Sequence, residues 1–128
     1  MKDHEGLGRK GELIGLEVNM RPSGGISPDM MNFSQSTDVY KIWADMIAYD
    51  SSLRGIGQTA FCAFAGRRDG KNFVMSDEDI MHKYGANMKM SGRVADALSG
   101  AMGNQMYIAN FNTKEEMDAF YNDVLACR

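Results

Sequence analysis

A chain of 128 residues with 44% apolar and 24% charged residues has enough material for one packed domain and is too apolar for a disordered segment. Its formal net charge of −3 argues against a bulk nucleic-acid or anionic-membrane surface, where a basic stripe is expected. No run approaches the roughly 18 apolar residues that span a bilayer. Two widely separated cysteines, Cys62 and Cys127, point to a reducing, cytoplasmic setting rather than a disulfide framework.

The leader Met1–Glu12 is polar and lacks the apolar stretch of a signal peptide. Gly6, Gly8 and Gly11 mark a loop that enters a strand. Gly6-Leu-Gly-Arg-Lys-Gly11 has the look of a phosphate loop, but without the Gly-Lys-Ser/Thr ending or a preceding strand it reads as a hairpin loop. Residues 12–21, ELIGLEVNMR, form the first expected strand. Glu17, Asn19 and Arg21 share one of its faces, while Leu16, Val18 and Met20 share the other. Two oxygen ligands beside a guanidinium suit a hard divalent cation and a polyphosphate. From spacing alone, the solvated face of an edge strand is the competing account. Pro22, Ser23, Gly24 and Gly25 then break the strand.

Residues 22–37 read as a long loop with a Ser27-Pro28-Asp29 turn. Ser36, Thr37 and Asp38 are N-cap candidates for a helix from about Asp38 to Tyr49, and Val39, Tyr40, Ile42, Trp43, Met46 and Ile47 follow the period of a buried helix face. A glycine-containing connector, 51–58, leads to a β-rich run over Thr59–Ala65. Arg67-Arg68-Asp69-Gly70-Lys71 predicts a hairpin turn, with Asn72–Met75 as the returning strand. The basic turn reads as a solvated tip or, through Arg67 or Arg68, as a catcher of phosphate or carboxylate.

Ser76-Asp77-Glu78-Asp79 starts a short helix ending near Gly85. A strand over 86–92, a helix over 93–103 and a strand over Gln105–Phe111 follow. Thr113 and Glu116 cap a last amphipathic helix carrying Met117, Phe120, Tyr121, Val124 and Leu125. The expected class is α+β, with antiparallel strands packed against helices. Twelve methionines read as flexible filler in an irregular core or as an adaptable contact surface. His4 reads as an exposed loop residue, His82 as a helix-end residue, Cys62 as a buried small hydrophobe and Cys127 as exposed.

The string LEVNMRPSGG, an apolar strand carrying Glu-x-Asn-x-Arg and leading into a loop, resembles the carboxy-terminal part of an ATP-grasp domain of the carbamoyl-phosphate-synthetase large-subunit and biotin-carboxylase type. The longer word NMRPSGGISPDMMNFSQSTDVYKIWADMI resembles bacterial ATP-grasp proteins of the carbamoyl-phosphate-synthetase-like group. The close likeness covers about residues 6–50; the remainder is similar in architecture only. It implies that Glu17 and Asn19 bind Mg²⁺, that Arg21 follows as the basic catalytic residue beside ATP, and that Asp38-Val-Tyr-Lys-Ile-Trp43 opens the next helix. It divides the chain into the end of an ATP-grasp domain, 1–50, and a small α+β post-grasp segment, 51–128.

An ATP-grasp enzyme also needs two lysines, a glycine-rich lid, an adenine pocket and a further acidic ligand, all upstream of this strand. The resemblance therefore implies the carboxy-terminal piece of a longer ligase, partnered by a missing N-terminal portion, acting on a small-molecule carboxylate and inactive alone. The alternative is a non-catalytic domain that self-associates, as a homodimer, or binds another protein.

Overall fold

A computed structural model describes Leu13, Gly15 and residues 23–128. The expected strand over 12–21 lies outside the described residues. Eight elements follow in chain order: α1 (Ser27–Gln35), α2 (Val39–Tyr49), β1 (Phe61–Arg67), α3 (Asp77–Tyr84), β2 (Met88–Arg93), α4 (Asp96–Met102), β3 (Gln105–Phe111) and α5 (Lys114–Leu125). The described part is thus α+β, with five helices and one antiparallel sheet of three strands.

Local sequence chemistry sets most of these boundaries. Ser76 accepts from the Asp79 amide while Asp79 accepts from the Ser76 amide, and Thr113 and Glu116 repeat that reciprocal box at α5. Asp38 caps α2 by accepting from the Lys41 amide at 3.0 Å.

The strand order is β1-β3-β2, so the last strand in sequence is the central one. Ala63 faces Ala109 and Ala65 faces Tyr107 across β1 and β3. β2 pairs with the other edge of β3, with a register shift between Met88 and Met90. That bulge and Lys89 sit on an edge strand, where both discourage further pairing.

Alternation along the strands builds the core. Ala63, Ala65, Tyr107, Ala109 and Phe111 present one face, which receives Ile80 and Tyr84 of α3 and Phe120 and Val124 of α5. Tyr84 meets Phe120 edge-on at 5.1 Å between ring centroids, a favoured aromatic geometry. Met75, Met88 and Met117 pack around this cluster, the filler role expected of them. On the opposite face, Asn110 Nδ2 donates to Phe33 O of α1 at 2.7 Å. The end of α1 is stitched to the start of β1 by Ala60 N to Ser34 O and Ser34 Oγ to Ala60 O, both 2.8 Å.

Three expectations need correction. Residues 27–35 are helical rather than looped, because Ser27-Pro28-Asp29 is a helix start: proline suits the first turn and Asp29 complements its dipole. Residues 72–75 do not return along β1. Phe73 forms an isolated bridge with Cys127, Val74 N donates to Ala126 O and Arg128 N to Asn72 O, so this segment pairs with the tail after α5. The Asp69-Gly70 turn is nonetheless present. Finally, α2 forms over the expected span but buries none of its residues. It packs on α1, and Trp43, Met46, Ile47 and Tyr49 remain exposed.

Gly66 tests the contact between β1 and α4, since a Cβ there would lie 2.0 Å from Met102 O. Gly66→Ala should lower unfolding stability by about 2 kcal/mol in urea titrations. Gly100→Ala, with nothing within 4 Å of the added carbon inside α4, should instead raise it by up to about 1 kcal/mol. Equal effects at the two sites would contradict the packing described.

Candidate functional site

Glu17, Asn19 and Arg21 lie outside the described residues, as does His4. Of the other singled-out residues, His82 is exposed in the last turn of α3. Cys62 is half-buried rather than buried, and Cys127 is exposed; both are free thiols. Burial pushes the Cys62 thiol pKa up, against an opposing pull from Lys89. Among the described residues no group of three or more His, Cys, Asp or Glu side chains is placed to hold a metal ion.

The basic turn is where structure and expectation diverge most. Arg68 donates from Nη2 to Gly100 O at 2.7 Å, and Asp69 is gripped by both terminal nitrogens of Arg93 at 2.6 Å. That fork holds the Asp69 carboxyl below its ordinary pKa. Arg67 is not a solvated tip at all: it is 5% exposed. It continues the series Phe61, Ala63, Ala65 at two-residue spacing and so must project from the core face of β1. The alternation was the available signal, and the adjacent Asp-Gly turn masked it.

Several distant segments converge on this guanidinium. Its Nε donates to Val124 O at 2.7 Å near the end of α5, and Nη1 donates to Met75 O at 2.9 Å. Nη1 also lies 3.7 Å from Asp77 Oδ1 at the start of α3. The plane stacks over Phe73 at 4.4 Å and stands 5.6 Å from the Tyr107 ring. Nη2 is buried and has no hydrogen-bond partner among the described residues. Tyr107 donates its hydroxyl to Asp77, and burial, followed by this bond, pushes the phenol up to about 12.

Arg67 borders an open groove of ≈ 560 Å³ together with Lys71, Asn72, Phe73, Ser76 and Asp77. Chemically it is a cation held rigidly by backbone carbonyls and rings, with one donor nitrogen, Nη2, unspent among the described residues. A second, smaller cleft of ≈ 290 Å³ lies on the α1 side of the sheet, bordered by Gln58, Asn87, Lys89, Asn110 and Asn112. There Asn110 Oδ1 is likewise buried and without a partner among the described residues.

With this geometry established, comparison with known proteins adds no family: no family model, curated protein or solved structure matches the chain.

Tyr107 supplies a pH test. A phenol titrating near 10 when unfolded and at about 12 when folded contributes stability that is fully present below pH 10 and lost as pH rises through about 12. Unfolding followed by urea should show stability falling across that window, and Tyr107→Phe should flatten the fall. An unchanged slope in the variant would contradict the burial and hydrogen bond assigned to this hydroxyl.

Proposed function

We propose that this chain is the carboxy-terminal part of an ATP-dependent carboxylate ligase of the ATP-grasp type. The observation that carries the reading is the sequence row Glu17-x-Asn19-x-Arg21, closed by Pro22–Gly25 and followed at Asp38 by an apolar-striped helix. The presence of α2 with Asp38 as its N-cap supports the second half of that pattern. The α+β character of the following residues agrees with a post-grasp segment over 51–128. Two free cysteines suit the reducing cytoplasm in which such an enzyme would work.

Under this reading, bound Mg²⁺-ATP would supply the phosphoryl group for converting a small-molecule carboxylate into an acyl phosphate, with ADP as the first leaving group and inorganic phosphate as the second when an amine or another nucleophile attacks. Glu17 and Asn19 hold Mg²⁺ through oxygen, as a hard cation prefers. Arg21 steadies the transferring phosphate with a charged fork. A single strand neither orients two substrates nor excludes water, so an N-terminal ATP-grasp portion is the required partner. The complete enzyme carrying Glu17→Ala should lose ATP turnover while keeping its circular dichroism spectrum. Turnover retained within a few-fold would defeat the assignment. Calorimetry of the present chain with Mg²⁺-ATP should register weak binding or none.

The exposed apolar face of α2 favours a second reading, a non-catalytic, self-associating domain. Ile47 and Tyr49 are 71% and 75% exposed, beside Trp43 and Met46, and scattered single hydrophobes would need no such explanation. Sedimentation velocity at increasing concentration should then show a dimer, weakened by Ile47→Glu. A monomer throughout the millimolar range would remove this reading.

A further inference from the structure

We infer that the groove beside Arg67 is a binding site for an oxyanion, the phosphate or carboxylate group of a small-molecule ligand. The inference stands on the geometry around β1 and is independent of the ligase reading.

Arg67 is buried, yet the hydrogen-bonding capacity of its guanidinium is incompletely used. Nε and Nη1 are committed to Val124 O and Met75 O, which fix the plane of the fork. Nη2 is the remaining prong, and a buried charged donor left unpaired is costly enough to be rare. An oxyanion satisfies it in the strongest available way, through a charge-assisted bond. A neutral amide would leave the charge of the buried cation less well compensated.

The surrounding charges agree. Lys71 and Arg128 border the same groove, as do Asp77 and Asp79. Both carboxylates already have partners. Asp79 is turned back into its capping box, accepting from Ser76 N at 2.9 Å and from Ser76 Oγ at 2.7 Å. Asp77 accepts from Tyr107 and lies on the Nη1 side of Arg67. Three cationic side chains thus border the groove beside two carboxylates that are already hydrogen-bonded.

Access follows from how the neighbouring segment is held. Residues 72–75 belong to no strand and are tied to the tail by the isolated Phe73–Cys127 bridge, made by Val74 N to Ala126 O and Arg128 N to Asn72 O. An oxygen would reach Nη2 by a local displacement of residues 72–74 alone, with the Met75 O bond to Nη1 and the β1–β3 ladder kept. The site therefore suits a small, slim anionic group at the end of a ligand rather than an extended polyanion.

The test is a ¹⁵N NMR titration of the full chain with inorganic phosphate and, separately, with acetate, at constant ionic strength maintained with chloride. A saturable shift centred on the Arg67 Nε–H and the amides of 71–77 is expected. Saturation by phosphate alone identifies a phosphate-bearing ligand, and saturation by acetate alone a carboxylate. Lys71→Gln, an exposed position, should weaken that binding roughly twofold to fivefold without changing the shift pattern of the core. Absence of saturation with both anions, or equal shifts with chloride, overturns the inference. So does a response centred on the exposed Arg93 or Lys83.

Discussion

The burial of one guanidinium constrains more of this structure than any other single interaction. Arg67 ends β1 on the core face, where a side chain that cannot lose its charge must find acceptors. It takes them from Val124 on α5 and Met75 before α3, residues that the chain separates widely. The irregular path of residues 68–76 is the consequence. A tight hairpin back along β1 would carry Met75 O away from this arginine. Instead, the segment crosses over the guanidinium, lays Phe73 on it and starts α3 beside it.

The sheet and the aromatic cluster supply the frame within which that tie is useful. With β3 central, Tyr107 stands beside Arg67 and Phe111 stands among Tyr84 and Phe120. The small residues Ala63, Ala65 and Ala109 leave room for the rings. A second polar link, with Asp123 accepting from Lys83 at 2.6 Å and from Tyr84, joins α3 to α5. Lys83 and Tyr84 together hold the Asp123 carboxyl below its usual pKa. The core face is therefore closed by polar contacts at its margins, whereas α2, on the far side of α1, has only partial cover.

How much of this was legible in the sequence depended on whether the governing chemistry was local. Ser76 with Asp79 and Thr113 with Glu116 announce helix starts within four residues, and both helices begin there. The run Gln105–Phe111 is a strand over the span its composition suggests. Ser27-Pro28-Asp29 fails as a signal because the same three residues suit a turn and a helical first turn. Residues 72–75 look like a returning strand because Asp69-Gly70 is a good turn. Their actual partner, the tail around Cys127, is remote and unmarked. For the candidate sites the division is sharper. Glu17, Asn19 and Arg21 are known as a sequence row, and their likeness to a magnesium strand remains a proposal. The basic turn offered Arg67 or Arg68 as a catcher of phosphate or carboxylate, but the groove around Arg67 forms only on folding, since its parts meet across 57 residues.

If the buried tie is the organising constraint, the Arg67 side chain must be protected from solvent in solution. Hydrogen exchange at its Nε–H, read by NMR beside the exposed Arg93 Nε–H of the same molecule, measures this directly. The account predicts that the Arg67 proton exchanges at least about a hundredfold more slowly, because its release requires opening of the bond to Val124 O. Exchange at the same rate as Arg93 would show that Arg67 is solvated, and would contradict the account.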